Sequence, residues 1–164
     1  MDLVNNAPET VPGLAVGSEL TSDWVKIDQE LIDLFSRATL DNDPMHVDPE
    51  FAAKGPYKGT VAFGFMTMSL MTHFMHTATD NEGTEDFDKG YFLNYGFDRM
   101  RLVSPVRVNS RVRGKFTLTS REPDEKGRFT QKYDCLVEIE GEDRPALAGT
   151  WLSVYVPPST YSTL

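Results

Sequence analysis

Residues 41–49 read Asp-Asn-Asp-Pro-Met-His-Val-Asp-Pro and place three carboxylates, one amide and one imidazole within nine positions. Asp41 and His46 are five residues apart. A carboxylate and an imidazole can share general acid/base work, provided the backbone folds both inward. Pro44 has no N–H to donate and holds Asp43 extended, so residues 40–46 are expected to be a loop of limited freedom, not more helix. The same residues also fit a quieter use, with Asp48 capping the next helix and Asp41 capping a turn.

The elements around this cluster are legible from periodicity. Trp24, Val25 and Ile27 suggest a short strand. Asp28 can cap a helix whose apolar face is Leu31, Ile32, Leu34, Phe35 and Ala38. Asp48 as N-cap, Pro49 at the first helical position and Gly55-Pro56 as terminator predict a short helix over 49–54. Residues 60–79 are apolar on nearly every face and read as one buried helix. Residues 80–90 are acidic and read as a mobile loop. From Tyr91 the period changes to two. Strands are expected over 91–103, 106–119, 129–139 and 146–156, with turns near 123–127 and 141–144. Four long strands after one buried helix predict an α+β fold, an antiparallel sheet wrapped on a central helix. Residues 1–17 read as an arm, 18–158 as a single domain and 159–164 as a tail.

Composition narrows the function. The 164 residues are 40% hydrophobic and 25% charged, which suits one globular domain. No secretory h-region or bilayer-length apolar stretch is seen, so the expected location is cytoplasmic. The single cysteine, Cys135, excludes an internal disulfide and a Cys-rich metal site. His73 and His76 lack further ligands at matching spacing, and no metal or cofactor is expected. Met66, Met68, Met71 and Met75 suit core filling, or the lining of a pliable acyl tunnel. The net charge of −9 disfavours nucleic acid as a partner. Residues 99–132, however, hold ten bases and three acids, a local +7 that could steer a small polyanion or simply be the solvated face of a sheet.

Residues 40–52, Leu-Asp-Asn-Asp-Pro-Met-His-Val-Asp-Pro-Glu-Phe-Ala, resemble the Asp-x-Asn-Pro-x-His signature of the MaoC-like (R)-specific enoyl-CoA hydratases and dehydratases. Residues 94–101 and Pro105-Val106 are similar to the branch that includes nodulation protein N. The resemblance implies a hot-dog fold, a homodimer, and a place in fatty acid metabolism. It implies hydration of a trans-2-enoyl-CoA to an (R)-3-hydroxyacyl-CoA, or the reverse, with Asp41 and His46 as the catalytic pair. The backbone N–H of Gly64 would polarise the thioester carbonyl, and Asp43 would face the substrate. Arg99, Arg101 and Arg107 are candidates for the phosphates of CoA. Three positions depart from the family pattern: Leu40 for Gly, Asp43 for Asn and Phe63 for His. Two other readings remain open, a non-catalytic acyl-thioester-binding subunit of a hetero-oligomer and an acyl-CoA thioesterase. The absence of any acid in residues 60–79 counts against the second.

Overall fold

The computed structural model describes residues 14–80 and 90–158. The expected arm over 1–13, most of the acidic loop (81–89) and the tail over 159–164 lie outside the described residues. Strands β1 (Glu19–Thr21), β2 (Val25–Lys26), β3 (Tyr91–Leu102), β4 (Arg111–Pro123), β5 (Phe129–Ile139) and β6 (Leu147–Val156) form one antiparallel sheet. Its order is β1-β4-β5-β6-β3, with β2 also pairing β4. Helices α1 (Gln29–Thr39), α2 (Pro44–Val47), α3 (Pro49–Lys54), α4 (Gly64–Ser69) and α5 (Met71–Ala78) lie between β2 and β3 in the chain. This is the expected α+β architecture. Among the described residues no helix is long and apolar enough to cross a membrane.

Alternation along β4 and β5 sets the core. Val112, Phe116 and Leu118 are buried on β4, and Tyr133, Cys135, Val137 and Ile139 on β5. Register pairs Phe116 with Cys135, and Cys135 with Gly149 of β6. The helical layer closes on this face through Phe74 of α5, which is fully buried. Gly114 permits the contact, since a Cβ there would stand 2.7 Å from Phe74 Cβ. Cys135 is sealed in this layer, its Sγ 3.2 Å from the Tyr133 carbonyl. Burial pushes its thiol up to about 12.

Three expectations need correction. The segment 60–79 is not one helix. Thr60 to Phe63 are extended, α4 begins at Gly64, and α4 and α5 meet at Leu70. The Ser69 hydroxyl donates to the Phe65 carbonyl at 2.8 Å, a back-bond that competes with the helix ladder and bends it. Nor is it buried all round, because Phe65, Ser69 and His73 form an exposed stripe. The strand expected from 106 starts at Arg111 instead. Val106 to Val108 run beside Thr60 to Ala62, joined by Ala62 N–H to Val106 O at 2.7 Å and Val108 N–H to Thr60 O at 3.0 Å. Asn109 then reverses the chain with φ of 68°, a conformation its short polar side chain tolerates. Finally, Pro44 starts a helical turn within the segment expected to be loop. Asp43 caps it, accepting from the Met45 N–H at 2.9 Å. The Asp-Pro pair at 43–44 thus does what the pair at 48–49 does, where α3 has its expected bounds.

Candidate active site

Two backbone segments present the candidate groups. The α2 turn carries His46, and residues 60–64 carry the entry to α4. They are joined by Val61 N–H to Met45 O at 3.4 Å and by the imidazole itself, whose Nδ1 lies 2.7 Å from Val61 O. A carbonyl only accepts, so Nδ1 carries the proton and Nε2 of the neutral ring keeps its lone pair. The ring also packs on Phe63, centroids 3.9 Å apart. Phe63 is thereby a wall for the imidazole at a position where the family pattern has His.

Gln29, in the first turn of α1, ties this region together. Its Nε2 donates to the His46 carbonyl at 2.9 Å and to Asp33 Oδ1 at 2.8 Å, and its Oε1 accepts from the buried Thr60 hydroxyl at 2.6 Å. One side chain thus ties α1, the α2 turn and the extended entry to α4. Sequence reasoning missed Gln29 and Thr60. Gln29 reads as a solvated first-turn residue, and nothing local to it signals partners 17 and 31 positions away.

His46 and Gly64 share one cleft of about 230 Å³, lined also by Met45, Tyr57, Thr67 and Leu102. Gly64 is the first residue of α4, and its N–H has no acceptor among the described residues. A Cβ at Gly64 would overlap Leu102 Cδ1, so the glycine lets β3 close beside the helix start. Thr67, one turn on from Gly64, faces the same cleft, a neighbour that helical spacing could have flagged.

Asp41 is not among the residues lining this cleft. It follows the end of α1, exposed, with its backbone carbonyl held by the Ser36 hydroxyl at 2.6 Å. Its Oδ1 accepts from the Asp43 N–H at 3.2 Å. Among the described residues no ion pair joins Asp41 to His46. Asp43 uses one carboxylate oxygen as the cap of α2. The structure therefore brings His46 and Gly64 together, and sets Asp41 and Asp43 on the exposed turn leading to them.

The basic stretch divides in two. Arg111 pairs with Glu140 at 2.9 Å, Arg113 and Lys115 with Glu138 at 2.7 and 2.9 Å, and Arg128 with Asp124. Arg113 also stacks 4.4 Å from the centre of the Trp24 ring. Lys115 and Arg113 hold the Glu138 carboxyl below the usual carboxylate range. Arg99, Arg101 and Arg107 are exposed and make no ion pair among the described residues. Arg101 and Arg107 adjoin Leu102 and Val106, which line the cleft. Arg99 sits at a β-bulge with φ of 53°.

Residues 13–138 match the family described as a MaoC like domain. The chain is 40% identical over 141 residues to nodulation protein N of Rhizobium leguminosarum bv. viciae, covering 85% of each. It is 38% identical over 135 residues to 3-hydroxyacyl-thioester dehydratase Z of Mycobacterium tuberculosis (strain ATCC 25618 / H37Rv), covering 82% of this chain and 86% of that one. Among solved structures it is similar to the (R)-hydratase from A. caviae involved in PHA biosynthesis, with a TM-score of 0.69 at 18% identity, covering 85% of this chain and 96% of that one. That likeness is one of fold, the hot dog.

Leu40 closes α1 in the left-handed region, with φ of 61° and ψ of 21°, and its side chain is 84% exposed. A glycine at this position adopts that conformation freely, whereas a side chain costs about 1 kcal/mol or more and here gains little packing. Leu40→Gly is therefore expected to stabilise the fold by about 1 kcal/mol, raising Tm by roughly 2–4 °C in thermal denaturation. An unchanged or lower Tm would show that Leu40 makes a contact that offsets its backbone cost.

Proposed function

The chain belongs to the MaoC-like dehydratase family, and on that premise we propose that it hydrates a trans-2-enoyl-CoA to an (R)-3-hydroxyacyl-CoA, or runs the reverse dehydration. The observation that carries this reading is the shared cleft. It is lined by both His46, whose Nδ1 is taken up by Val61 O, and Gly64, whose N–H has no acceptor among the described residues. An N–H at a helix start, backed by the helix dipole, favours the negative charge that grows on a thioester oxygen as water adds at C3.

In this scheme His46 Nε2 takes a proton from water as its oxygen bonds to C3. Asp41 positions that water, a proton is delivered to C2 from its side, and proton exchange between Asp41 and His46 restores the starting state. Asp43 contributes by holding the turn that carries His46, with its second carboxylate oxygen left to face the substrate.

Incubation with crotonyl-CoA and longer enoyl-CoAs tests the reading through loss of the conjugated-thioester absorbance. Asp41→Asn and His46→Ala are each expected to lower turnover by at least about a hundredfold. Asp41 is exposed, so Asp41→Asn should change melting little, whereas His46→Ala also loses the Val61 O bond and the Phe63 contact and should lower Tm, which is measured beside its turnover. Full turnover by either variant removes that residue from the scheme. Release of free thiol would mark a thioesterase, and binding without turnover a non-catalytic subunit.

Arg99, Arg101 and Arg107 are assigned to the CoA phosphates, since they are exposed, no carboxylate engages them among the described residues, and Arg101 and Arg107 adjoin the cleft lining. Reversing their charge should raise KM more than it lowers kcat, with strong salt sensitivity. If KM stays put, these bases do not bind the carrier.

We also assign a homodimer. Edge strand β3 leaves Phe92, Leu93, Tyr95 and Phe97 exposed, Tyr95 to 70%, and an unpaired apolar edge invites a second copy. Light scattering at micromolar concentration should give twice the 18.4 kDa chain mass. A monomer mass would reject the assignment.

A further inference from the structure

A second cavity, of about 130 Å³, lies between α5 and the concave face of the sheet, away from His46. Thr72, Met75, His76, Tyr133, Trp151 and Ser153 are among its lining. At this end the sheet turns three polar side chains inward: Gln131 is 0% exposed, Tyr133 4% and Ser153 4%. Buried polar groups cost stability unless each is bonded, so their partners matter.

The Gln131 amide decides the pattern. With its oxygen toward Arg121, it accepts from Nε at 2.9 Å and Nη2 at 3.2 Å, and its nitrogen donates to the Tyr133 oxygen at 2.8 Å. The opposite orientation would set the amide N–H groups against the guanidinium, donor to donor. Tyr133 is therefore an acceptor toward Gln131, and its own proton has no acceptor among the described residues. Burial raises its hydroxyl to about 12, so that proton is retained at any physiological pH. The result is a fixed O–H donor, polarised through an amide by an arginine, in the wall of a cavity where Met75, Phe92 and Trp151 alternate with Thr72, His76, Asn94 and Ser153.

Size and place restrict what fits. An apolar cavity near 150 Å³ holds a benzene-sized molecule, so this one accepts a group of about that size. Thr72 and His76 follow Gly64 by eight and twelve residues, roughly 12 and 18 Å along an unbroken helix and less across the bend at Leu70. That is the reach of the remote part of an acyl group whose carbonyl sits at the helix start. His76 lines the same cavity and could engage a carboxylate, whereas the Tyr133 O–H needs only a neutral acceptor such as a hydroxyl or ketone oxygen.

We propose that this cavity receives the far end of the acyl group, and that Tyr133, held by Gln131 and Arg121, selects acyl groups carrying a neutral oxygen there, a hydroxyl or a ketone. This rests on the reading of the first cleft as a thioester site. Trp151 lines the cavity and supplies a fluorescence signal once Trp24 is changed to Phe.

Titrations with 12-hydroxydodecanoyl-CoA and dodecanoyl-CoA, neither of which can be hydrated, make the test. The hydroxylated thioester should bind roughly three- to tenfold tighter, the scale of one net hydrogen bond. Tyr133→Phe should erase that difference and leave dodecanoyl-CoA within about twofold. Equal affinities on the chain with Tyr133 intact overturn the proposal, and that comparison does not depend on the Tyr133→Phe variant folding. A preference that survives Tyr133→Phe also overturns it. Cyclohexanone, a ring-sized neutral acceptor, separates the two readings. If it binds in a Tyr133-dependent way while neither thioester binds, the thioester reading and the acyl assignment both fall, and the selectivity of Tyr133 for a neutral oxygen stands. If the thioesters discriminate as expected but no enoyl-CoA is hydrated, the cavity assignment stands and the hydratase reading falls.

Discussion

The approach of α5 to the sheet at Gly114 is the constraint on which the rest of the molecule depends. Missing one Cβ, β4 admits Phe74 to full burial, and Phe116, Leu118 and Val137 close around it. That contact sets the height of the helical layer above the sheet. The start of α4 then falls beside β3, where Gly64 is in turn the residue that can lie against Leu102. Two positions without side chains thus fix where the helix start opens to solvent, and with it the location of the His46 cleft.

Hydrogen-bond satisfaction then places the imidazole. Extended residues 60–63 have backbone groups to pair, and they pair with Val106 to Val108 on one side and with the α2 turn on the other. Val61 O takes the His46 Nδ1 proton as part of that accounting, which fixes both the tautomer and the ring plane. Gln29 completes it by serving His46, Asp33 and Thr60 with one amide. The orientation of the ring therefore follows from pairing rules that hold whatever molecule occupies the cleft.

Much of this was legible before any coordinates. The alternation of β5 and the capped bounds of α3 each rest on local rules that tertiary structure does not override. The failures were also local in cause. Pro44 reads as a breaker unless Asp43 before it is recognised as a cap. Hydrophobicity alone makes 60–79 one helix, because it cannot see that residues 60–63 are paired as extended chain or that Ser69 bends the helix. Val106 and Val108 carry the strand period yet belong to a separate short pairing that ends at Asn109. Of the sites, Gly64 beside His46 could be anticipated from motif and helix start. Gln29, Thr60 and the Tyr133–Gln131–Arg121 chain could not, because their partners are set by sheet register and by contacts far along the chain.

The sealing of Cys135 has a chemical consequence of its own. With the thiol buried in β5 and its ionisation pushed to about 12, almost no thiolate exists near neutrality. Nucleophilic attack and oxidation to sulfenic acid both require that thiolate and access to it. The native chain is therefore expected to react slowly with alkylating reagents and peroxide at its only sulfhydryl. Any cysteine introduced on the surface becomes a unique point of covalent attachment, for a spin label or a fluorophore, with the natural residue left in place.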